Sequence, residues 1–280
     1  MKLYKSAGLL SKDICWLKRK GKVIGFVPTM GYLHEGHRSL IRKARRDTDI
    51  VVVSIFVNPL QFGPKEDLEK YPRDPRQDLA LCKRSGVDIV FTPYSKIMYP
   101  KDFSTYVNVE GLTEGLCGAS RPGHFRGVAT VVTKLFNIVS PDIAYFGQKD
   151  AQQATVIKKM AGDLDMPVKI KVMPTVREKD GLAMSSRNAY LNPDERVKAI
   201  FLYKSLRLAG ELYKKGETSP REIITKMRKL LLEQKAITID YISIVDPEKL
   251  VDVKRICGRV LVAAAVRIGK TRLIDNIILN

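Results

Sequence analysis

A chain of 280 residues with 45% hydrophobic and 28% charged residues has the balance of a globular protein, long enough for two domains, and not that of a disordered one. Four scattered cysteines without a C-x-x-C pair exclude a zinc site or a disulfide framework as the expectation, and free thiols suit a reducing cytoplasm. The net charge of +19 favours acidic partners, nucleic acid or phosphorylated small molecules; because its lysines and arginines are spread through helical segments, we read it as a solvated surface with a contribution from an anionic substrate. No run approaches the roughly eighteen apolar residues of a membrane span, and no apolar signal core follows Met1, so a soluble, cytoplasmic protein is expected.

Residues 1–20 read as a helix with Ile14, Trp16 and Leu17 on its apolar side, stopped by Gly21. The apolar run 23–27 reads as a strand, and Leu40, Ile41 and Ala44 mark a following helix. Between them, Pro28-Thr29-Met30-Gly31-Tyr32-Leu33-His34-Glu35-Gly36-His37 makes a strand-to-helix turn with two histidines three residues apart. Such a turn directs backbone N–H groups and the positive end of the helix dipole outward, a natural seat for phosphate. Imidazole adds a donor that follows charge as it moves.

The β-branched run 49–57 has the character of a strand covered on both faces, as in parallel sheets. Two such strands joined by a helix form a right-handed βαβ unit. The loop Asn58-Pro59-Leu60-Gln61-Phe62-Gly63-Pro64 ends it. Ligands of a parallel α/β sheet sit beyond the carboxyl ends of its strands, which brings Asn58 and Gln61 to the histidine turn. A helix over 76–85 and a strand over 87–91 come next, then an irregular stretch to about residue 105. A loop from 111 to 127 ends in Arg121-Pro122-Gly123-His124-Phe125-Arg126-Gly127, where His124, the third and last histidine, reads as structural. Val128, Val131, Val132, Leu135, Phe136 and Val139 recur at helical spacing, a core face.

A strand over 142–146 runs into Gly147-Gln148-Lys149-Asp150, and Ala151-Gln152-Gln153 opens a helix. Another strand, 168–173, passes into a polar loop closed by Met184-Ser185-Ser186-Arg187-Asn188. The character then changes to helices over 193–215 and 219–234 and β-type runs at 241–245, 260–266 and 273–279. The fold expected is α/β: a Rossmann-like parallel-sheet N-terminal domain, 1–175, and a smaller α+β C-terminal domain, 176–280.

Lys149 or Arg187 alone reads as a surface charge. Together with His34, His37, Ser185 and Ser186 they suit a triphosphate better than a neutral ligand. Ser185 has no histidine near it in sequence, so a Ser-His-Asp hydrolase is disfavoured.

The stretch Pro28-Thr29-Met30-Gly31 with His34-x-Gly36-His37 resembles the H-x-G-H signature of the nucleotidylyltransferase superfamily, and Met184-Ser185-Ser186-Arg187 resembles its second phosphate-binding motif. Further segments are more specific: Phe56-Val57-Asn58-Pro59-Leu60-Gln61-Phe62, Tyr71-Pro72-Arg73, Arg121-Pro122-Gly123-His124-Phe125, the run 146–153 and the run 180–188. In order and spacing, from about residue 20 to 195, they resemble the pantothenate synthetase (pantoate–β-alanine ligase) family. Tyr32, where that family often has alanine, and Gln148, where glutamate is common, fall between motif residues.

The resemblance implies ATP-dependent condensation of pantoate with β-alanine through a pantoyl adenylate, with Mg²⁺ as cofactor and a homodimeric enzyme. His34, His37, Lys149 and Arg187 are the implied catalytic residues. ATP would be bound by Met30, Gly31, Tyr32, Leu33, Glu35, Gly36, Gly147, Gln148, Asp150, Val176, Met184, Ser185 and Ser186 beside those four. Pantoate has a gem-dimethyl carbon, two hydroxyls and a carboxylate, so apolar walls and amides suit it; Met30, Phe62, Gln61 and Gln153, with Asn58 and Tyr71, are the implied pantoate and β-alanine residues. Mg²⁺ takes chiefly phosphate and water oxygens, with Asp78 or Asp150 as the possible protein ligand. Closure of the C-terminal domain over the hydrolysis-prone adenylate is expected. Two other readings are another nucleotidylyltransferase of the superfamily and a basic RNA-binding protein. The second lacks an added anticodon-type domain and an aromatic–basic interleaved face, so nucleic acid is not an expected partner; without an apolar span, neither is a membrane.

Overall fold

The computed structural model describes residues 1–64 and 66–280, and the chain divides into two compact units. The first comprises Met1–Glu110, Arg121–Gly147 and Val156–Pro174. Its sheet has six parallel strands, β1 (Lys2–Tyr4), β2 (Ile24–Thr29), β3 (Ile50–Ile55), β4 (Ile89–Phe91), β5 (Ile143–Gly147) and β6 (Lys169–Met173), in the order β1-β4-β3-β2-β5-β6. The chain moves outward from β2 through β3 to β4, then returns to place β5 on the other side of β2. A crevice forms at the carboxyl ends where strand order reverses in this way.

Helices α1 (Ala7–Arg19), α2 (Glu35–Asp47), α3 (Pro75–Arg84) and α4 (Ser95–Met98) follow in this unit, and after α5 (Cys117–Ser120) comes α6 (His124–Val139). Alternation along the strands covers both faces. Val27, Val51, Val53 and Val90 pack with Leu40, Ile41 and Ala44 of α2 and Cys82 of α3. Phe26, of opposite parity to Val27, meets Phe136 of α6 edge-on at 6.4 Å between ring centroids. Burial pushes the Cys82 thiol up to about 12, so it acts as a small apolar filler.

Two local expectations are corrected here. Residues 2–4 are a strand paired with β4, not helix, because a ladder partner 87 residues away leaves no local trace (Lys2↔Ile89). On α1 the buried pair is Leu10 and Ile14, four apart; Trp16, two positions past Ile14, turns outward and is 60% exposed.

Asp47, at the end of α2, receives Lys171 of β6 at 2.6 Å, Lys43 at 2.6 Å and the Tyr145 hydroxyl of β5 at 3.0 Å. Lys171 first, then Lys43, hold its carboxyl well below the usual carboxylate range. A depressed folded-state pKa stabilises the fold in full above the unfolded value of about 4 and ceases to do so as pH falls through the folded one. Asp47→Asn should therefore melt earlier than the parent above about pH 4, with the gap closing in stronger acid. Melting curves against pH check this; a gap constant across that range would contradict it.

The second unit comprises Gly111–Ser120, Gln148–Thr155 and Thr175–Asn280. Strands β7 (Ile237–Val245), β8 (Val260–Ile268) and β9 (Thr271–Leu279) form an antiparallel sheet in that order. Helices α8 (Pro193–Lys214) and α9 (Pro220–Leu232) pack Leu202, Leu206, Ile223 and Met227 against Val262, Ala264 and Val266 of β8. Asn192 and Glu195 cap α8 reciprocally, and Ser219 caps α9.

A single cut near residue 175 does not describe this division. The Gln152 side chain donates to the carbonyls of Leu112 and Gly115 and accepts from the Cys117 N–H, each at 2.9 Å. Cys117 in turn lies 3.2 Å from the Tyr241 hydroxyl of β7. Among the described residues no helix is long and apolar enough to cross a membrane.

Candidate active site

In the first unit, the histidine turn leaves β2 at Thr29, whose hydroxyl donates to the Ser54 carbonyl at 2.7 Å and accepts the Gly31 N–H at 3.2 Å. Gly31 and Tyr32 both have left-handed backbones, φ 85° and 51°. A side chain at Gly31 would put Cβ 2.9 Å from Asp78 Oδ2, so only glycine fits. Asp78, in the first turn of α3, accepts the N–H of Tyr32 at 2.9 Å and of Leu33 at 2.7 Å, one on each oxygen. Burial pushes its carboxyl up, against the pull of those two N–H groups. At 2% exposure, with both oxygens engaged, Asp78 clamps the turn and does not fit Mg²⁺.

The turn ends in a cap made of the two histidines. His34 Nδ1 accepts the Gly36 N–H at 3.1 Å, and His37 Nδ1 accepts the His34 N–H at 3.3 Å. A backbone N–H only donates, so each neutral ring carries its proton on Nε2. The cap thus fixes two Nε2–H donors at the N-terminus of α2, with the rings 4.1 Å apart. Glu35, also expected at ATP, pairs with Arg38 and Arg42 along the helix.

Beyond β3, Pro59–Gln61 forms a 3-10 turn capped by Asn58. Asn58 Nδ2 donates to Gln61 Oε1 and to the Gly127 carbonyl, both at 3.1 Å. Its Oδ1 accepts from the Tyr99 hydroxyl at 2.8 Å and from the Leu60 N–H at 3.3 Å. Burial pushes the Tyr99 phenol well above its usual range, so it stays a donor. Asn58 is 1% exposed and its polar atoms are occupied, so it orients Gln61 and does not itself meet a ligand.

With Oε1 tied to Asn58, Gln61 presents Nε2, a donor, 3.0 Å from Met30 Sδ. Phe62 stands edge-on to Tyr71 at 5.9 Å. The first unit therefore brings Met30, Gln61, Phe62, Tyr71, His34 and His37 to the carboxyl side of β2 and β3. Sequence reading missed Asp78 as a clamp, Tyr99 as a donor, and Gly127, whose Cβ would stand 2.2 Å from the Leu60 carbonyl oxygen. The glycine in the 121–127 motif was the available signal.

In the second unit, Gln148–Asp150 is a 3-10 turn leading into α7 (Ala151–Asp163). Asn276 of β9 donates to the carbonyls of Gln148 and Lys149, both at 2.9 Å, and accepts from Gln148 Nε2 at 3.1 Å. Lys149 Nζ lies 3.5 Å from Asp150, whose side chain is 46% exposed. Gln153 is half-buried on α7.

The second motif starts from a tight turn in which Val176 and Met184 pair, the Met184 N–H donating to the Val176 carbonyl at 3.0 Å. Arg177 anchors it. Its guanidinium grips Asp275 at 2.6 and 3.0 Å, donates to the Gly181 carbonyl at 3.1 Å and stacks on Tyr203 at 3.9 Å. Asp275 is buried, which pushes its carboxyl up against the pull of Arg177. Ser185 Oγ accepts the Arg187 N–H at 3.3 Å and caps the 3-10 turn Ser186–Tyr190. The dipeptide Asp275-Asn276 therefore holds the Lys149 turn directly and, through Arg177, the tight turn that leads into Ser185-Ser186-Arg187, a role no local signal in the sequence announces. Chemically, the donors of this unit are a lysine, an arginine and two serine hydroxyls, a set matched to phosphate oxygens.

A family model described as pantoate-beta-alanine ligase matches residues 3–278. The pantothenate synthetase of Acetivibrio thermocellus is 60% identical over 263 residues, 94% of each chain. That of Thermotoga petrophila is 55% identical over 280 residues, the whole of both. Among solved structures, pantoate-beta-alanine ligase (pantothenate synthetase) from Thermus thermophilus superposes with a TM-score of 0.95 at 46% identity over 99% of both chains. The pantoate-beta-alanine ligase of Francisella tularensis, complexed with beta-gamma ATP and beta-alanine, gives 0.81 at 35% identity over 99% of this chain and 97% of that one.

Proposed function

The chain belongs to the pantoate-beta-alanine ligase family, and from that premise we propose how its residues carry the family's reaction. It is an ATP-binding ligase that joins pantoate to β-alanine through an amide bond. A carboxylate oxygen of pantoate attacks the α-phosphorus of ATP, the bond to the bridging oxygen breaks, and pyrophosphate leaves. The β-alanine amine then attacks the acyl carbon, loses a proton and displaces AMP.

The observation that carries our assignment is the reciprocal histidine cap, which locks His34 and His37 as Nε2–H donors at a helix N-terminus. We assign them to the triphosphate, where negative charge shifts as pyrophosphate departs. Lys149 and Arg187 neutralise phosphate charge, and Ser185 and Ser186 hydrogen-bond its oxygens. Gln61 donates through Nε2 to pantoate's oxygens, Met30 and Phe62 wall its methyl groups, and Gln153 supplies the second amide. Mg²⁺, when bound, would neutralise triphosphate charge and would take chiefly phosphate and water oxygens. Asp150, an exposed carboxylate beside Lys149, is the residue of this chain suited to it; among the described residues no cluster of three His, Cys, Asp or Glu exists.

With MgATP, pantoate and β-alanine, AMP should appear only when pantoate is present; AMP formation indifferent to pantoate would overturn the reading. Gln61→Ala should raise the pantoate KM about 5- to 30-fold, the loss of one or two kcal/mol of hydrogen bonding, and leave the ATP KM unchanged. Equal losses for both substrates would remove Gln61 from the pantoate site. We also place the enzyme in the cytoplasm, as its four free thiols suit, and as the homodimer the family resemblance implies. A single-chain mass in light scattering would remove the dimer.

A further inference from the structure

We infer that His124 is a positioning residue, held as the neutral Nδ1–H tautomer, which together with Arg121 and Glu66 sets Gln61 for pantoate. The inference rests on the assignment of Gln61 to that substrate. His124 begins α6, after Gly123 in a left-handed conformation (φ 80°). Its Nδ1 lies 2.8 Å from the Gln61 main-chain oxygen and its Nε2 lies 3.0 Å from Arg121 Nη1. A guanidinium only donates and a carbonyl only accepts. Nε2 must therefore be the unprotonated nitrogen and Nδ1 must carry the proton. This is the opposite tautomer to the one the cap imposes on His34 and His37.

Arg121 is itself fixed. Nε and Nη2 reach the two oxygens of Glu66 at 2.7 and 2.6 Å, a bidentate pair, and Nη2 also donates to the Gln61 carbonyl at 3.2 Å. Burial pushes the Glu66 carboxyl up, but the hydrogen bonds and charge of Arg121 outweigh it and hold it below the usual range. The pair is thus charged, and its orientation is set before any ligand arrives.

The Gln61 main-chain oxygen receives two donors, His124 Nδ1–H and Arg121 Nη2–H, while its side-chain oxygen receives Asn58. Both oxygens of Gln61 are anchored from within the protein, and Nε2, which gives one hydrogen to Met30 Sδ at 3.0 Å, keeps its second for substrate. Losing the ring of His124 frees the peptide plane of Gln61 on one of its two supports. It also leaves Arg121 Nη1 without its ring acceptor. The consequence falls on pantoate binding, since the residue these groups hold is the one assigned to that substrate.

Steady-state kinetics of His124→Ala, His124→Asn and Gln61→Ala, with ¹⁵N NMR of the histidine rings in the parent enzyme, test this. His124→Ala should raise the pantoate KM about 5- to 10-fold, the worth of one neutral hydrogen bond, with kcat and the ATP KM unchanged. His124→Asn, whose amide nitrogen can occupy the place of Nδ1, should recover the larger part of that loss. The His124 ring should show a protonated Nδ1 and an unprotonated Nε2. An unaltered pantoate KM in His124→Ala, while Gln61→Ala has its effect, overturns the inference and leaves Gln61 in place. A ring protonated on Nε2 overturns it in the parent enzyme, whatever the variants do. If Gln61→Ala itself leaves the pantoate KM unaltered, the assignment of Gln61 fails first and this inference fails with it.

Discussion

Replacing His37 with alanine should slow formation of the adenylate about 10²- to 10³-fold, the cost of removing one preorganised donor aimed at developing charge, about 2.7–4 kcal/mol of barrier. The substitution does two things at once. It removes the Nε2–H donor, and it orphans the His34 N–H that Nδ1 accepts at 3.3 Å, a cap whose loss costs about 1 kcal/mol of stability. His37→Asn separates them. The asparagine oxygen can take the place of Nδ1 and restore the cap, but nothing on that shorter side chain reaches the position of Nε2. Pyrophosphate release in a single turnover should remain slow in His37→Asn while its melting temperature returns to that of the parent. A parent-like rate in either variant would remove His37 from the chemistry.

Asn276→Ala should lower kcat about 100-fold, though Asn276 is assigned no contact with substrate. Its amide donates to two carbonyls, Gln148 and Lys149, and its oxygen accepts from Gln148 Nε2. Without it the turn carrying Lys149 loses its support, and a displacement of about 1 Å at a reacting centre is worth about 100-fold in rate. The two carbonyls left without this donor are part-buried, so the variant should also lose stability. Asn276→Asp keeps the shape and the acceptor but loses both donors, so it should behave like the alanine variant. Both are to be assayed well below their melting temperatures, where the pantoate KM should stay at the parent value. Retained kcat in spite of lowered stability would make Asn276 a purely structural residue.

The features legible in the sequence share one property: their cause is local. The β-branched run behind β3 announces a strand covered on both faces, and the helical stretch 193–215 is α8 almost to the residue. The histidine pair in its glycine-bounded turn announces a helix N-terminus suited to anions, and the rule for carboxyl ends places Asn58 and Gln61 beside it. Trp16 is not placed by such local signals, because a short helix offers several apolar stripes and packing against the rest of the unit selects Leu10 and Ile14.

What the sequence left undecided is how each polar side chain is used. Asp78 reads as a candidate Mg²⁺ ligand until α3 brings it to Tyr32 and Leu33, 46 and 45 residues away. Asn58 reads as a ligand contact until its atoms are seen to be engaged by Gln61, Gly127, Leu60 and Tyr99. His124 and Gln61 are 63 residues apart, and Asn276 and Gln148 are 128 apart. A donor's residue type is written in the chain, but its partner, its tautomer and its burial depend on which distant segments pack beside it. The residue types assigned to the reaction could therefore be read in order along the sequence. The supports that hold them in position, and the tautomers those supports impose, exist only once the elements are assembled.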